Sequence, residues 1–215
     1  MKLSMPEELL LLMLDDRTGR LHHHAAPAGD YAIAGALLAE LALARRIDTD
    51  PQRLWVTDSS PVGDDLLDGV LAKIDAEHEC QCSQYWIQEL SRSSGSYRDV
   101  LFGALVRKGV LRQVDGRFLW VFAERRYPSI SGNEEREVKA RLLAVLFNDD
   151  IPEPRDALLI GLCRATQLFS LFLSEHQVER IQTRIDRVAD LEELNRSLSE
   201  AIREIYSQIK HFTPV

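Results

Sequence analysis

A chain of 215 residues with 45% hydrophobic and 28% charged side chains has material for one generous core or two small ones, which excludes disordered and fibrous architectures. Its net charge of −8 opposes broad attraction to nucleic acid or anionic lipid, so any anion site has to be local. Three cysteines, Cys80, Cys82 and Cys163, without a charged-then-apolar leader predict a reducing, cytosolic setting.

Ser4, Pro6 and Glu7 form a capping-box pattern with proline in the first turn, which predicts a helix through the apolar run Leu9 to Leu14. That run is apolar on every side, so the helix belongs at the centre of the fold. Residues 15–20 read as a turn and 22–29 as a loop, after which Asp30 caps a second hydrophobic helix reaching Leu43. A small hairpin is expected over 47–58, around Asp50-Pro51. Leu66, Leu67, Val70, Leu71 and Ile74 then follow helical spacing. Residues 84–90 predict another helix, stopped by the serine-rich stretch 91–96, and 97–108 are helical again, ending at Gly109.

Next, Asp115-Gly116 has the signature of a two-residue turn, so a hairpin reversing there is expected over 110–122. In that register Leu111, Gln113, Phe118 and Trp120 share one face, and Val110, Arg112, Val114, Arg117, Leu119 and Val121 the other. Both faces want partners. Residues 97–128 hold seven basic and three acidic side chains, a local +4 that leaves −12 for the remainder. A greasy, basic projection on an acidic protein points to an anionic surface or to self-association, with packing of Phe118 and Trp120 on the core as the structural alternative. Beyond Pro128 a helix is expected over 134–147, prolines 152 and 154 break it, and the apolar run 157–173 is too short and too interrupted for a membrane span. It reads instead as part of a buried helix over 156–173. A charged helical end over 175–210 divides near Asp190. The fold class is therefore mainly α: a single compact helical domain over 3–212 with small β-hairpins, one of them projecting.

Chemistry-bearing motifs are sparse. His22, His23 and His24 are adjacent in sequence, an arrangement that seldom converges on one ion, and Cys80 and Cys82 lack metal-site spacing. The paired acids Asp15/Asp16, Asp64/Asp65 and Asp149/Asp150 sit at turns or helix starts, where capping accounts for them. No phosphate-binding glycine loop, nucleophile elbow or zinc-protease motif occurs. The expectation is no enzyme, no cofactor and no metal. The helix 97–108 followed by a hairpin also has the outline of a winged helix, but its 100–106 stretch is almost wholly apolar, so no nucleic acid is expected.

Four blocks, EELLLL at 7–12, AELALARRI at 39–47, PVGDDLLD at 61–68 and VRKGVL at 106–111, resemble in order and spacing the Golgi phosphoprotein 3 family, most closely over 3–173. The Ala-, Leu- and Arg-rich composition hints at a bacterial homologue. The resemblance implies a helical, non-enzymatic peripheral membrane adaptor, cytoplasmic and reversibly membrane-associated. It implies binding of an anionic phospholipid, phosphatidylinositol 4-phosphate, in a shallow basic pocket, with a hydrophobic hairpin touching the membrane or another copy in a homo-oligomer. The family pocket uses a tryptophan and an arginine around the second helix and two arginines spaced by three before the VxKGVL block. Those positions fall on His24 or Ala25, on Ala34, on Gly95 and on Arg98. Arg98 alone is retained, so the head-group candidates are Arg98 with His24 and Arg92 as substitutes. The hairpin candidates are Arg112, Arg117, Phe118, Leu119, Trp120, Val121 and Phe122. Each lost arginine removes donors of about 1.5–3 kcal/mol, which shifts attachment from the head group toward the hairpin. Charging of the histidines would strengthen an anion site below about pH 6.5. Two alternatives stand beside this reading: a soluble helical scaffold that self-associates through the hairpin and has lost lipid specificity, and, third, winged-helix-like nucleic-acid binding.

Overall fold

In the computed structural model, which describes residues 2–15, 18–22, 26–50, 52–79, 81–118, 122–191, 198 and 202, the capping box of Ser4 and Glu7 opens helix α1 (Met5–Leu12). Of 26–27, 115–118 and 122–124 the backbone path is described. The Ser4 N–H donates to the Glu7 carboxylate at 2.7 Å, and every residue of α1 is buried. Helix α2 (Ala26–Leu43) packs beside it, and Leu9, Leu10, Leu37, Leu38 and Leu41 are sealed from solvent between them and their neighbours. Each such leucine contributes about 2 kcal/mol by burial, which is why this pair forms the centre. α2 starts four residues before Asp30, so the expected loop over 22–29 is shorter and Asp30 lies inside the helix, not at its cap. Pro27 suits that earlier start, because proline in a helix's first turn forfeits no internal hydrogen bond.

Strands β1 (Ile47–Thr49) and β2 (Leu54–Val56) form the expected small hairpin, with Ile47 opposite Val56. Helix α3 (Asp65–Asp75) is capped by Asp64, whose carboxylate accepts from the Leu66 and Leu67 amides at 3.0 and 3.1 Å. Helix α4 (Ser83–Ser91) is followed after only two residues by α5 (Ser94–Arg107). The serine-rich stretch therefore interrupts the helical path and does not end it, since Leu101, Phe102 and Leu105 pull α5 onto the core. Gly109, at φ +71°, turns the chain out of α5 as expected.

The projecting hairpin forms, in a different register. β3 (Val114–Phe118) and β4 (Phe122–Arg126) are antiparallel, with Val114 opposite Arg126 and Phe118 opposite Phe122. Asp115 and Gly116 thus lie within β3, opposite Arg125 and Glu124, and the strands are joined by 119–121. The base of the ribbon decides this. Val110, Leu111 and Tyr127 are all buried there, Leu111 bridges Ser129, and the Arg112 N–H donates to the Pro128 carbonyl at 3.1 Å. Carried outward, that base register continues the pairing past Asp115-Gly116 to Phe118 and Phe122, and the longer ladder outweighs the local turn preference of Asp-Gly. The two faces expected from an Asp115-Gly116 turn are overturned with it; Arg112, Gln113 and Val114 are exposed.

Helix α6 (Asn133–Phe147) matches expectation, whereas the expected helix 156–173 is α7 (Pro154–Ala165) plus a 3-10 turn, Leu168–Leu171. The Thr166 hydroxyl donates back to the Leu162 carbonyl and Gln167 adopts φ +59°, which together end α7. A Ser174–Gln177 capping box starts α8 (Glu175–Ala189), which stops at the predicted division near Asp190. Most of the expected helix beyond 191 lies outside the described residues; Leu198 and Ile202 are buried. Among the described residues the fold is mainly α with two small antiparallel hairpins, and no helix there is long and apolar enough to cross a membrane.

Charges enter this core at one face of α1. The Glu8 carboxylate takes Arg141 of α6 at 3.1 Å and Arg155 of α7 at 3.2 Å. Arg155 also reaches Glu40 of α2 at 3.1 Å and the Leu3 carbonyl at 2.9 Å, while Arg141 reaches Asp156 at 2.6 Å. Burial alone would lower the pKa of both arginines, but their hydrogen bonds and the facing carboxylates, Asp156 and Glu8 for Arg141, Glu40 and Glu8 for Arg155, raise them above the ordinary value. Four helices are thereby tied together at the start of α1.

Candidate functional site

Arg98 stands in the second turn of α5 and faces α2. Its Nη1 donates to the Oδ1 of Asp30, 68 positions earlier in the chain, and the two side chains are 25% and 30% exposed. The neighbouring Tyr31 hydroxyl has its pKa raised, first by burial and then by the negative charge of Asp30. Arg98 is the retained head-group candidate, and the fold gives it an internal anion, Asp30, that no local sequence pattern indicates. By sequence Asp30 reads as a helix cap, and nothing in the linear sequence joins it to Arg98.

The surroundings of Arg98 explain which missing arginine positions are open. Gly95, one turn earlier on α5, has no heavy atom within 4 Å of where a Cβ would sit. Ala34, by contrast, is 1% exposed within the core cluster, a place where an arginine would bury an uncompensated charge. Arg92, at the end of α4, is 74% exposed and donates to Glu89 at 2.5 Å. Glu89 accepts from Lys73 as well, and the ammonium of Lys73, more than Arg92, holds that carboxyl below its usual range. Arg92 is thus engaged on its own helix surface. His24 lies outside the described residues.

At the other end of α5 stands the ribbon. Ten residues separate Arg98 from Lys108, a rise of about 15 Å along a helix, so α5 is a strut between the head-group candidate and the hairpin. Lys108 donates to both oxygens of buried Glu7 at 2.7 and 2.6 Å, tying the strut's end to α1. Phe102 stacks flat on Tyr127, with centroids 3.9 Å apart and an interplanar angle of 4°, and the Tyr127 N–H donates to the Gly19 carbonyl at 2.7 Å. Among the described residues β3 and β4 pack broadly only on each other. Arg112 and Arg125 are exposed on the two arms. Leu119, Trp120 and Val121 lie outside the described residues, and Arg117, Phe118 and Phe122 are placed by the strand register. That register makes Phe118 and Phe122 the outermost described pair of the ribbon, away from its anchored base, whereas a turn at Asp115-Gly116 would have ended the strands earlier.

Residues 5–207 match the family model described as Golgi phosphoprotein 3 (GPP34). The chain belongs to this family. It is 29% identical over 165 residues to vacuolar protein sorting-associated protein 74 of Eremothecium gossypii, a match covering 67% of this chain and 49% of that relative. The chain spans about half the length of the curated relative it matches. No cluster of potential metal ligands occurs among the described residues.

Proposed function

We propose that this chain is a non-enzymatic peripheral membrane adaptor. It lays the apolar end of its ribbon into an anionic bilayer, and Arg98 contacts a phosphate head group, that of phosphatidylinositol 4-phosphate by family likeness. The ribbon register carries the reading. It sets Phe118 opposite Phe122 as the outermost described pair of the two strands, flanking the apolar sequence Leu119-Trp120-Val121, and leaves Arg112 and Arg125 exposed on the arms. Shallow apolar insertion combined with local basic charge is the pairing that gives reversible attachment, which neither element sustains alone.

Flotation with liposomes containing phosphatidylinositol 4-phosphate, phosphatidylserine or neutral lipid only, each at two salt concentrations, tests this. The native chain is expected to float with both anionic mixtures, more weakly at high salt. The triple substitution Phe118→Ser, Trp120→Ser, Phe122→Ser is expected to reduce binding about tenfold or more, since each large apolar side chain contributes about 2 kcal/mol when it leaves water. Flotation untouched by the triple substitution would sink the proposal.

A second reading has its own support. Each of β3 and β4 has one strand partner among the described residues, and such edges accept another strand. A soluble scaffold that dimerises through the ribbon would show concentration-dependent sedimentation and no flotation, and the triple substitution would return it to monomer.

A further inference from the structure

The geometry points to Asp30 as an internal anion that competes with a bound phosphate for Arg98 and so weakens the hold of Arg98 on highly charged head groups. This rests on the reading that Arg98 faces the head group. A carboxylate and a phosphate oxygen ask the same thing of a guanidinium, namely charge-assisted N–H donation. Asp30 already receives it from Nη1. Arg98 makes no second hydrogen bond among the described residues, and an external anion that reached its remaining N–H groups would sit beside a fixed negative charge. The pair is about three-quarters shielded from water on the arginine side, where such repulsion is screened less than at an open surface. The charge of Asp30 is felt at Tyr31 too. A dianionic phosphomonoester meets this repulsion twice over compared with a phosphodiester, so Asp30 discriminates by head-group charge.

Removing the charge while keeping the shape should therefore create affinity. The probe is soluble inositol 1,4-bisphosphate, measured by titration calorimetry with the full chain, alongside flotation on vesicles carrying phosphatidylinositol 4-phosphate. Asp30→Asn is expected to bind the soluble probe about tenfold more tightly than the native chain, and adding Arg98→Ala is expected to abolish the gain. Asp30→Ser is the second variant, and circular dichroism verifies that each retains its helical content. Affinity unchanged in both folded variants would overturn the proposal, as would a gain that persists without Arg98. The two readouts separate the ideas: loss of flotation in the native chain counts against the membrane reading, whereas the soluble probe reports on Asp30 with no bilayer present. If only vesicles respond to Asp30→Asn, the inference of a head-group contact at Arg98 is wrong and bulk charge accounts for the change.

Discussion

Glu8→Ala is expected to lower the unfolding free energy by about 3 kcal/mol, read as a shifted guanidinium chloride midpoint with an unchanged slope. Glu8 is 7% exposed and faces two guanidinium groups of 33% and 14% exposure. Taking its carboxylate away leaves those cations partly desolvated, and the penalty of an uncompensated buried charge exceeds the worth of the bond itself. Arg141 keeps Asp156, and Arg155 keeps Glu40 and the Leu3 carbonyl, which holds the loss near the lower end of the range for broken buried pairs. The comparison is Lys73→Ala, which breaks the Lys73–Glu89 pair at 40% and 25% exposure and should cost less than about 1 kcal/mol. Equal losses at the two sites would refute the network as the staple of α1.

That network marks the boundary of what the residues disclosed beforehand. Ser4 and Glu7 announce the start of α1, Asp64 the start of α3 and Gly109 the end of α5, because each signal acts on amides or angles within a few residues of itself. The same Glu7 also holds Lys108, 101 positions away, and Glu8 holds Arg155, 147 positions away, and no local rule foretells either. Asp30 shows the cost of a local rule applied alone: an acid near a helix start has an obvious role as a cap, yet it serves as a partner across two helices. The end of α7 was hidden for a related reason. A run of apolar residues gives no internal stop, and the break at Gln167 comes from the turn that brings α8 back onto α7.

The hairpin was legible as an object and not as a register. Strand-forming residues on either side of Asp115-Gly116 are sufficient to expect a ribbon, but where it reverses depends on which residues at the base become buried. Val110 and Leu111 could be recognised as apolar; that Tyr127 returns to stack on Phe102 could not. Since a register shift relocates every side chain, this stack and the other contacts at the base, the Leu111–Ser129 bridge and the Arg112 N–H to Pro128 carbonyl bond, decide whether Asp115 and Gly116 reverse the chain or lie within a strand.

Gly19→Ala should test that dependence with an effect of about 3 kcal/mol on stability and a loss of membrane attachment, without altering any ribbon residue. Gly19 has φ +65°, a conformation that costs an alanine about 1–2 kcal/mol. A Cβ there would also sit 2.4 Å from the Pro128 nitrogen and 2.7 Å from the Tyr127 carbonyl carbon, backbone atoms that have no rotamer to yield. The returning arm of the ribbon must move away, which stretches the Tyr127 N–H to Gly19 carbonyl bond and disturbs the stack on Phe102. Gly109→Ala is the control: its φ of +71° carries the same conformational cost, but nothing lies within 4 Å of its Cβ, so it should lose only about 1–2 kcal/mol and keep flotation. If both variants lose the same stability and both still float, the contact between Gly19 and the returning arm does not orient the ribbon. If Gly19→Ala alone loses flotation while its helical content survives, the base of the ribbon, and not the apolar residues by themselves, determines how the chain meets a bilayer.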